Sequence, residues 1–128
     1  MDKKITIMYV EDNRENRLLV RRVLEAEGFY VMEAESASQA LVKLSERVPD
    51  LILMDINMPE IDGYTLTSRL RQNPKIHGVP IIAMTANVMR GDRERTLEAG
   101  CDGYIQKPID VDLLAQLLRH FIKEVGND

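Results

Sequence analysis

The sequence predicts an α/β domain with a five-stranded parallel sheet in the order 2-1-3-4-5, wound with helices on both faces. Three observations lead there. Strand-like apolar runs alternate with helical stretches five times along 128 residues, a pattern that gives a parallel sheet with helices on both sides. Right-handed crossovers leave few ways to order five such strands, and the doubly wound order 2-1-3-4-5 is the expected one. The run Leu51-Ile52-Leu53-Met54 is continuously apolar, as a central strand buried on both faces requires. The length fits one core, and no repeat, linker or low-complexity stretch divides it. One domain over residues 1–128, with no effector domain, is expected.

Each element has its own local reason. Ile5 to Val10 reads as the first strand. Arg14 to Glu27 is helical, with Leu19, Val20, Val23, Leu24 and Ala26 on one side and Arg17, Arg21, Arg22 and Glu25 largely on the other; Gly28 ends it. Phe29 to Glu33 is a shorter strand. Ser36 caps a helix with apolar residues at Ala37, Leu41, Leu44 and Val48, and Pro49-Asp50 breaks it before the central run. Asp62-Gly63 is a turn, and Tyr64 to Gln72 is a helix that stops ahead of Pro74. Pro80 to Met84 is the fourth strand. Val88 to Ala99 is a largely polar helix closed by Gly100. Gly103-Tyr104-Ile105 is the fifth strand. Asp110 caps a last helix whose stripe is Val111, Leu114, Ala115, Leu118, Phe121, Ile122 and Val125.

Composition narrows the function classes. A net charge of −4 leaves no broad basic surface for DNA. The single cysteine, Cys101, rules out an intramolecular disulfide and a cysteine-based zinc site, and a small buried thiol is expected there. No apolar run is long enough to span a bilayer. The start Met1-Asp2-Lys3-Lys4 leads into a strand rather than a signal peptide, so a cytoplasmic protein is expected; a monomer or weak dimer is also expected.

The predicted topology gives several polar residues a common address. Strand 1 ends at Glu11-Asp12, strand 3 at Asp55, strand 4 at Thr85-Ala86, and Lys107-Pro108 follows strand 5. All fall at the carboxyl edge of the sheet, where open α/β folds bind ligands. Each has a plain alternative as a helix-start acid, a strand end or a surface lysine. Together they describe a cleft. Two like charges ~4 Å apart repel by about 4 kcal/mol at an effective dielectric of ~20, so three carboxylates there call for a cation. Oxygen-only ligands favour Mg²⁺ or Mn²⁺ over Zn²⁺. A carboxylate beside such an ion can act as a nucleophile in aspartyl-phosphate chemistry. Lys107 and the Thr85 hydroxyl suit phosphoryl oxygens, and backbone N–H groups after Asp55 and Thr85 could complete a cradle.

At these residues the chain resembles the receiver domain of two-component response regulators, a flavodoxin-like (βα)5 fold. The likeness runs from Ile5 to Val125. It rests on Val10-Glu11-Asp12-Asn13, on Leu53-Met54-Asp55-Ile56-Asn57-Met58-Pro59 with Asp62-Gly63, on Met84-Thr85-Ala86, and on Tyr104-Ile105-Gln106-Lys107-Pro108. The resemblance implies that Asp55 accepts a phosphoryl group from a phosphohistidine donor. It implies Mg²⁺ held by Asp12 and Asp55, by Glu11 through water, and by the Asn57 backbone carbonyl. Thr85 and Lys107 would contact the phosphoryl group, and Thr85 with Tyr104 would form the switch. Asn57 and Asn87 stand where the family tunes phosphoryl lifetime, with Ala86 between Thr85 and Asn87, and the Lys107-Pro108 bond is expected to be cis. The implied partners are a sensor histidine kinase or a histidine phosphotransfer protein, and a downstream protein target. Asn13, Asn16 and Gly100-Cys101-Asp102-Gly103-Tyr104 further resemble phosphorelay and hybrid-kinase receivers and stand-alone regulators of the divK type.

Several readings stay open at this level. Val88 and Met89 are partner contacts or simple packing onto the sheet. Arg14, Arg17, Arg21 and Arg22 dock the phosphodonor or form a solvated face. Tyr104 is a switch or core. The chain is a free-standing regulator, or a receiver cut from a hybrid kinase or larger protein. An aspartyl-phosphate hydrolase would carry a second Asp two residues after the nucleophile, but Asn57 stands there. A flavin carrier of this topology would need a phosphate cradle after strand 1, where Glu11-Asp12 would repel the phosphate.

Overall fold

The computed structural model describes residues 4–58, 61–85 and 92–126. The elements run β1 (Thr6–Val10), α1 (Arg14–Ala26), β2 (Tyr30–Ala34), α2 (Ala37–Glu46), β3 (Leu51–Asp55), α3 (Gly63–Arg71), β4 (Ile81–Thr85), α4 (Asp92–Ala99), β5 (Gly103–Gln106) and α5 (Val111–Gly126). The sheet order is β2-β1-β3-β4-β5, with every neighbouring pair parallel. The predicted class and order are those observed. Most boundaries shift by one or two residues. The expected start of the fourth helix at Val88 lies outside the described residues.

Local chemistry fixes the helix starts. Asn13, Ser36 and Asp62 are extended N-cap residues, and their side chains accept from the backbone N–H of Asn16, Gln39 and Thr65, each such cap contributing about 1 kcal/mol. Asp110 starts α5: its carboxylate accepts from Asp112 N and its carbonyl from Leu113 and Leu114 N. Gly28 follows α1 at φ +93°, a conformation that suits glycine after a helix.

The central strands β1, β3 and β4 are buried along their whole length. Alternation sorts their side chains onto two faces. On one face Met8, Val10, Ile52, Met54, Ile81 and Ala83 pack under α2 and α3. On the other Ile7, Tyr9, Leu51, Leu53, Ile82 and Met84 pack under α1 and α5 through Val20, Leu24, Leu114, Ala115 and Leu118. Cys101 is buried, as expected, and burial pushes its thiol pKa up.

Helix faces differ from their sequence-level reading. In α1 only Val20 and Leu24 are buried, while Leu19 is 52% exposed and Ala26 is exposed. In α2 the buried set is Ala37, Ala40 and Leu44, and Leu41 is exposed; the helix ends at Glu46, so Val48 of the expected stripe lies beyond it and is exposed. Helices share each face of the sheet, α2 with α3 on one and α1 with α5 on the other, so a narrow stripe on each suffices. Arg17 also departs from the expected solvent face. It is half-buried, leaning toward Glu33, and its guanidinium donates to the Glu11 carbonyl at 2.8 Å.

Candidate metal and phosphoryl site

Register brings the site together. Tyr9 pairs with Leu53, and both point to the face under α1 and α5. Two residues on, alternation returns Glu11 and Asp55 to that same face. Both carboxylates are buried: Glu11 is 1% exposed and Asp55 3%. Asp12, one residue out of phase with Glu11, is exposed at the rim. Carboxylate oxygens of Glu11, Asp12 and Asp55 nevertheless all lie within 4.8 Å of one another.

Lys107 enters from the far side of β4. Its backbone N–H donates to the Thr85 carbonyl at 2.8 Å, extending the β4–β5 ladder by one residue. Its ammonium lies 3.2 Å from Glu11 Oε1 and 3.3 Å from Asp55 Oδ2. The following peptide, Lys107-Pro108, is cis. The second Asp55 oxygen, Oδ1, accepts the Asn57 N–H at 3.1 Å. Gly63, at the start of α3, is tight against the strand end. Gly63 N donates to the Ile56 carbonyl, and a Cβ on Gly63 would meet Ile56 Cα at 2.9 Å and the Asp55 carbonyl oxygen at 3.0 Å.

The electrostatics follow from this crowding. Burial, the hydrogen bond shared with Asp55 and the Asp55 charge raise the Glu11 pKa, and Lys107 offsets this only in part. Burial alone would lower the Lys107 pKa, but the Asp55 and Glu11 charges outweigh it and the net shift is upward. Tyr9 donates its hydroxyl to Glu11 Oε1 at 3.1 Å. Burial and the adjacent Glu11 charge hold the phenol proton far above its ordinary range. One lysine thus serves two buried carboxylates, with a third at the rim. The donors are all oxygen, which suits a hard divalent cation.

The family model of the response regulator receiver domain matches residues 7–119. The chain belongs to that family. It is 39% identical over 117 residues to the polar-differentiation response regulator DivK of Brucella ovis, covering 91% of this chain and 95% of that one. Among solved structures, it is similar to the receiver domain of a sensor histidine kinase from Pseudomonas aeruginosa, with a TM-score of 0.85 and 36% identity over 94% of this chain and 98% of that one. That structure has a magnesium ion coordinated in its active site cleft. A CheY-like receiver domain protein from Methanospirillum hungatei aligns with a TM-score of 0.89 at 26% identity, over 97% and 98% of the two chains. Receiver domains are signalling proteins that bind a divalent metal and exchange contacts with histidine kinases or phosphotransfer proteins and with downstream targets; the acidic cluster here fits such an ion.

The structure gathers Glu11, Asp12, Asp55 and Lys107, and it brings in Asn57 through its backbone N–H. Thr85 is buried at the end of β4, in the strand beside Asp55. Alternation puts it on the face of Ala83, whose register partner is Tyr104. Tyr104 is half-buried against that core. Ala86, Asn87, Val88 and Met89 lie outside the described residues. Of the four arginines of α1, Arg17 and Arg21 are drawn to Glu33, whereas Arg14 and Arg22 are exposed. The sequence reading missed Tyr9. Its place two residues before Glu11, hence on the same strand face, was the available signal. Among the described residues no helix is long and apolar enough to cross a membrane.

Proposed function

We propose that this receiver domain is a phosphorylation-dependent signalling switch that takes a phosphoryl group from a phosphohistidine donor onto Asp55. The observation that carries this reading is the geometry of Asp55: a buried carboxylate fixed at one oxygen by the Asn57 N–H and at the other by the Lys107 ammonium. Such fixed donors align a nucleophile and stand ready for added negative charge. An Asp55 oxygen attacks phosphorus, the P–N bond breaks, and the electron pair leaves with the imidazole nitrogen, which takes up a proton. Lys107 and the Thr85 hydroxyl then hold phosphoryl oxygens.

Mg²⁺, or Mn²⁺ in its place, would be held by Asp12, Asp55 and the Asn57 backbone carbonyl, with Glu11 reaching it through water, and would supply charge neutralisation for the carboxylates and an incoming phosphoryl group. Aspartyl phosphate carries roughly −2 charge. Drawing Thr85 toward it frees space on the face that Tyr104 shares, and Tyr104 moves inward. Helix α4, strand β5 and helix α5 then present altered contacts to a protein target, as a shift between two arrangements of one fold.

The donor docks beside α1. Leu19, exposed on that helix, lines a cavity of about 430 Å³ with Asn16, Val20, Lys107, Pro108 and Ile109. This apolar ground next to Lys107 suits a helical histidine donor better than the arginines, two of which are engaged by Glu33. Residues 1–128 work as one cytoplasmic receiver domain that binds neither DNA nor membrane, and as catalyst it promotes only its own phosphorylation and slow loss of the group. Asn57 supplies no titrating acid for a hydrolase.

Phosphotransfer profiling tests this reading. Labelled histidine kinases and histidine phosphotransfer proteins are mixed with the wild-type chain and with Asp55→Asn. Transfer from at least one donor to the wild type, and none to the variant, is expected. Transfer to the variant would overturn the assignment.

A further inference from the structure

We propose that Tyr9 is a positioning residue for the metal site, its hydroxyl fixing the Glu11 carboxylate in the orientation that holds a water on the cation. The inference rests on the reading of Glu11 as part of that site. Tyr9 is fully buried on the face under α1 and α5, so its ring cannot swing. Its hydroxyl is aimed at Glu11 Oε1, 3.1 Å away. The same oxygen takes the Lys107 ammonium at 3.2 Å, and Oε2 takes the Asn13 N–H at 3.3 Å. Three donors from three places thus define one rotamer of a side chain with three rotatable torsions.

Packing alone does not call for a tyrosine. A phenylalanine would fill the same apolar cluster without a hydroxyl to satisfy, whereas a buried hydroxyl left unpaired is destabilising. The hydroxyl is satisfied by a site carboxylate, reached because Tyr9 and Glu11 share a strand face. Partners behind a metal ligand commonly change metal affinity by about 10–100-fold. With Lys107 and Asn13 also holding Glu11, the lower end is expected here.

The experiment compares the wild type with Tyr9→Phe, using magnesium chloride alone as probe. Melting temperature is followed across a Mg²⁺ titration, together with the near-ultraviolet difference spectrum. The chain has no tryptophan and four tyrosines, so a tyrosine whose carboxylate acceptor engages the cation's water reports in that spectrum. The expected result is an Mg²⁺ dissociation constant about tenfold weaker in Tyr9→Phe, with a metal-induced tyrosine band present in the wild type and absent in the variant. Equal dissociation constants would overturn the proposal, even if Tyr9→Phe melts lower by the same amount with and without metal. A band that persists in the variant would do so too. A wild type that does not respond to Mg²⁺ would instead overturn the metal site itself.

Discussion

Glu11 and Asp55 share one ammonium: Lys107 Nζ lies 3.2 Å from a Glu11 oxygen and 3.3 Å from an Asp55 oxygen. Two buried carboxylates and one partly buried lysine leave net negative charge in a cleft that Asp12 makes more negative. The strands around it are buried along their whole length, so little water screens that charge. The excess charge is the site's readiness for a cation.

Adding Mg²⁺ should therefore stabilise the protein. At ten times its dissociation constant an ion contributes about 1.4 kcal/mol, a rise of a few degrees in melting temperature for a domain of this size. Thermal melts in chelator and in millimolar Mg²⁺ read it out. No shift would count heavily against the metal site.

Replacing Lys107 by Ala should separate metal binding from switching. The variant loses the ammonium that bridges Glu11 and Asp55, so its metal-free form should melt lower and its gain from Mg²⁺ should exceed that of the wild type. Its phosphorylation-dependent change in partner binding should be lost. A variant that still switches fully would remove Lys107 from the mechanism.

The raised Glu11 pKa gives pH effects of definite sign. A carboxyl raised in the fold favours the folded state when protonated. Its contribution is complete below the ordinary carboxylate range and is lost as pH rises through the raised value. Metal-free protein should lose that increment over this window. Mg²⁺ binding should release protons, and Mg²⁺ affinity should weaken as pH falls through the same window. Melts and Mg²⁺ titrations across pH check both; Glu11→Gln should flatten the two profiles.

Gly63→Ala should destabilise the loop that carries Asn57. The added methyl would sit 2.9 Å from Ile56 Cα, and backbone there cannot yield as a side-chain tip can. A loss of about 1–3 kcal/mol is expected, read from denaturant unfolding. An unchanged midpoint would show that the loop can open without cost.

The gathering of Glu11, Asp12, Asp55 and Lys107 was legible in the sequence because each lies at or just past a strand end. Once the strand order is known, Glu11, Asp12, Asp55, Thr85 and Lys107 have one possible edge to occupy. The helix faces were less legible. Leu19 and Leu41 fit an apolar period but are exposed, since periodicity does not say how wide a stripe the sheet can cover, and Val48 is exposed because α2 stops at Glu46. Arg17 reads as solvent-facing until β2 brings Glu33 beside it. Tyr9 reads as ordinary core until its hydroxyl is followed to Glu11.

The central claim is that Asp55 is where the phosphoryl group goes. Wild type and Asp55→Ala should each be incubated with Mg²⁺ and a small acyl-phosphate donor, and their intact masses measured. The wild type should gain one phosphoryl group and Asp55→Ala none. A phosphoryl group on Asp55→Ala, or none on a wild type that binds Mg²⁺, would contradict the account.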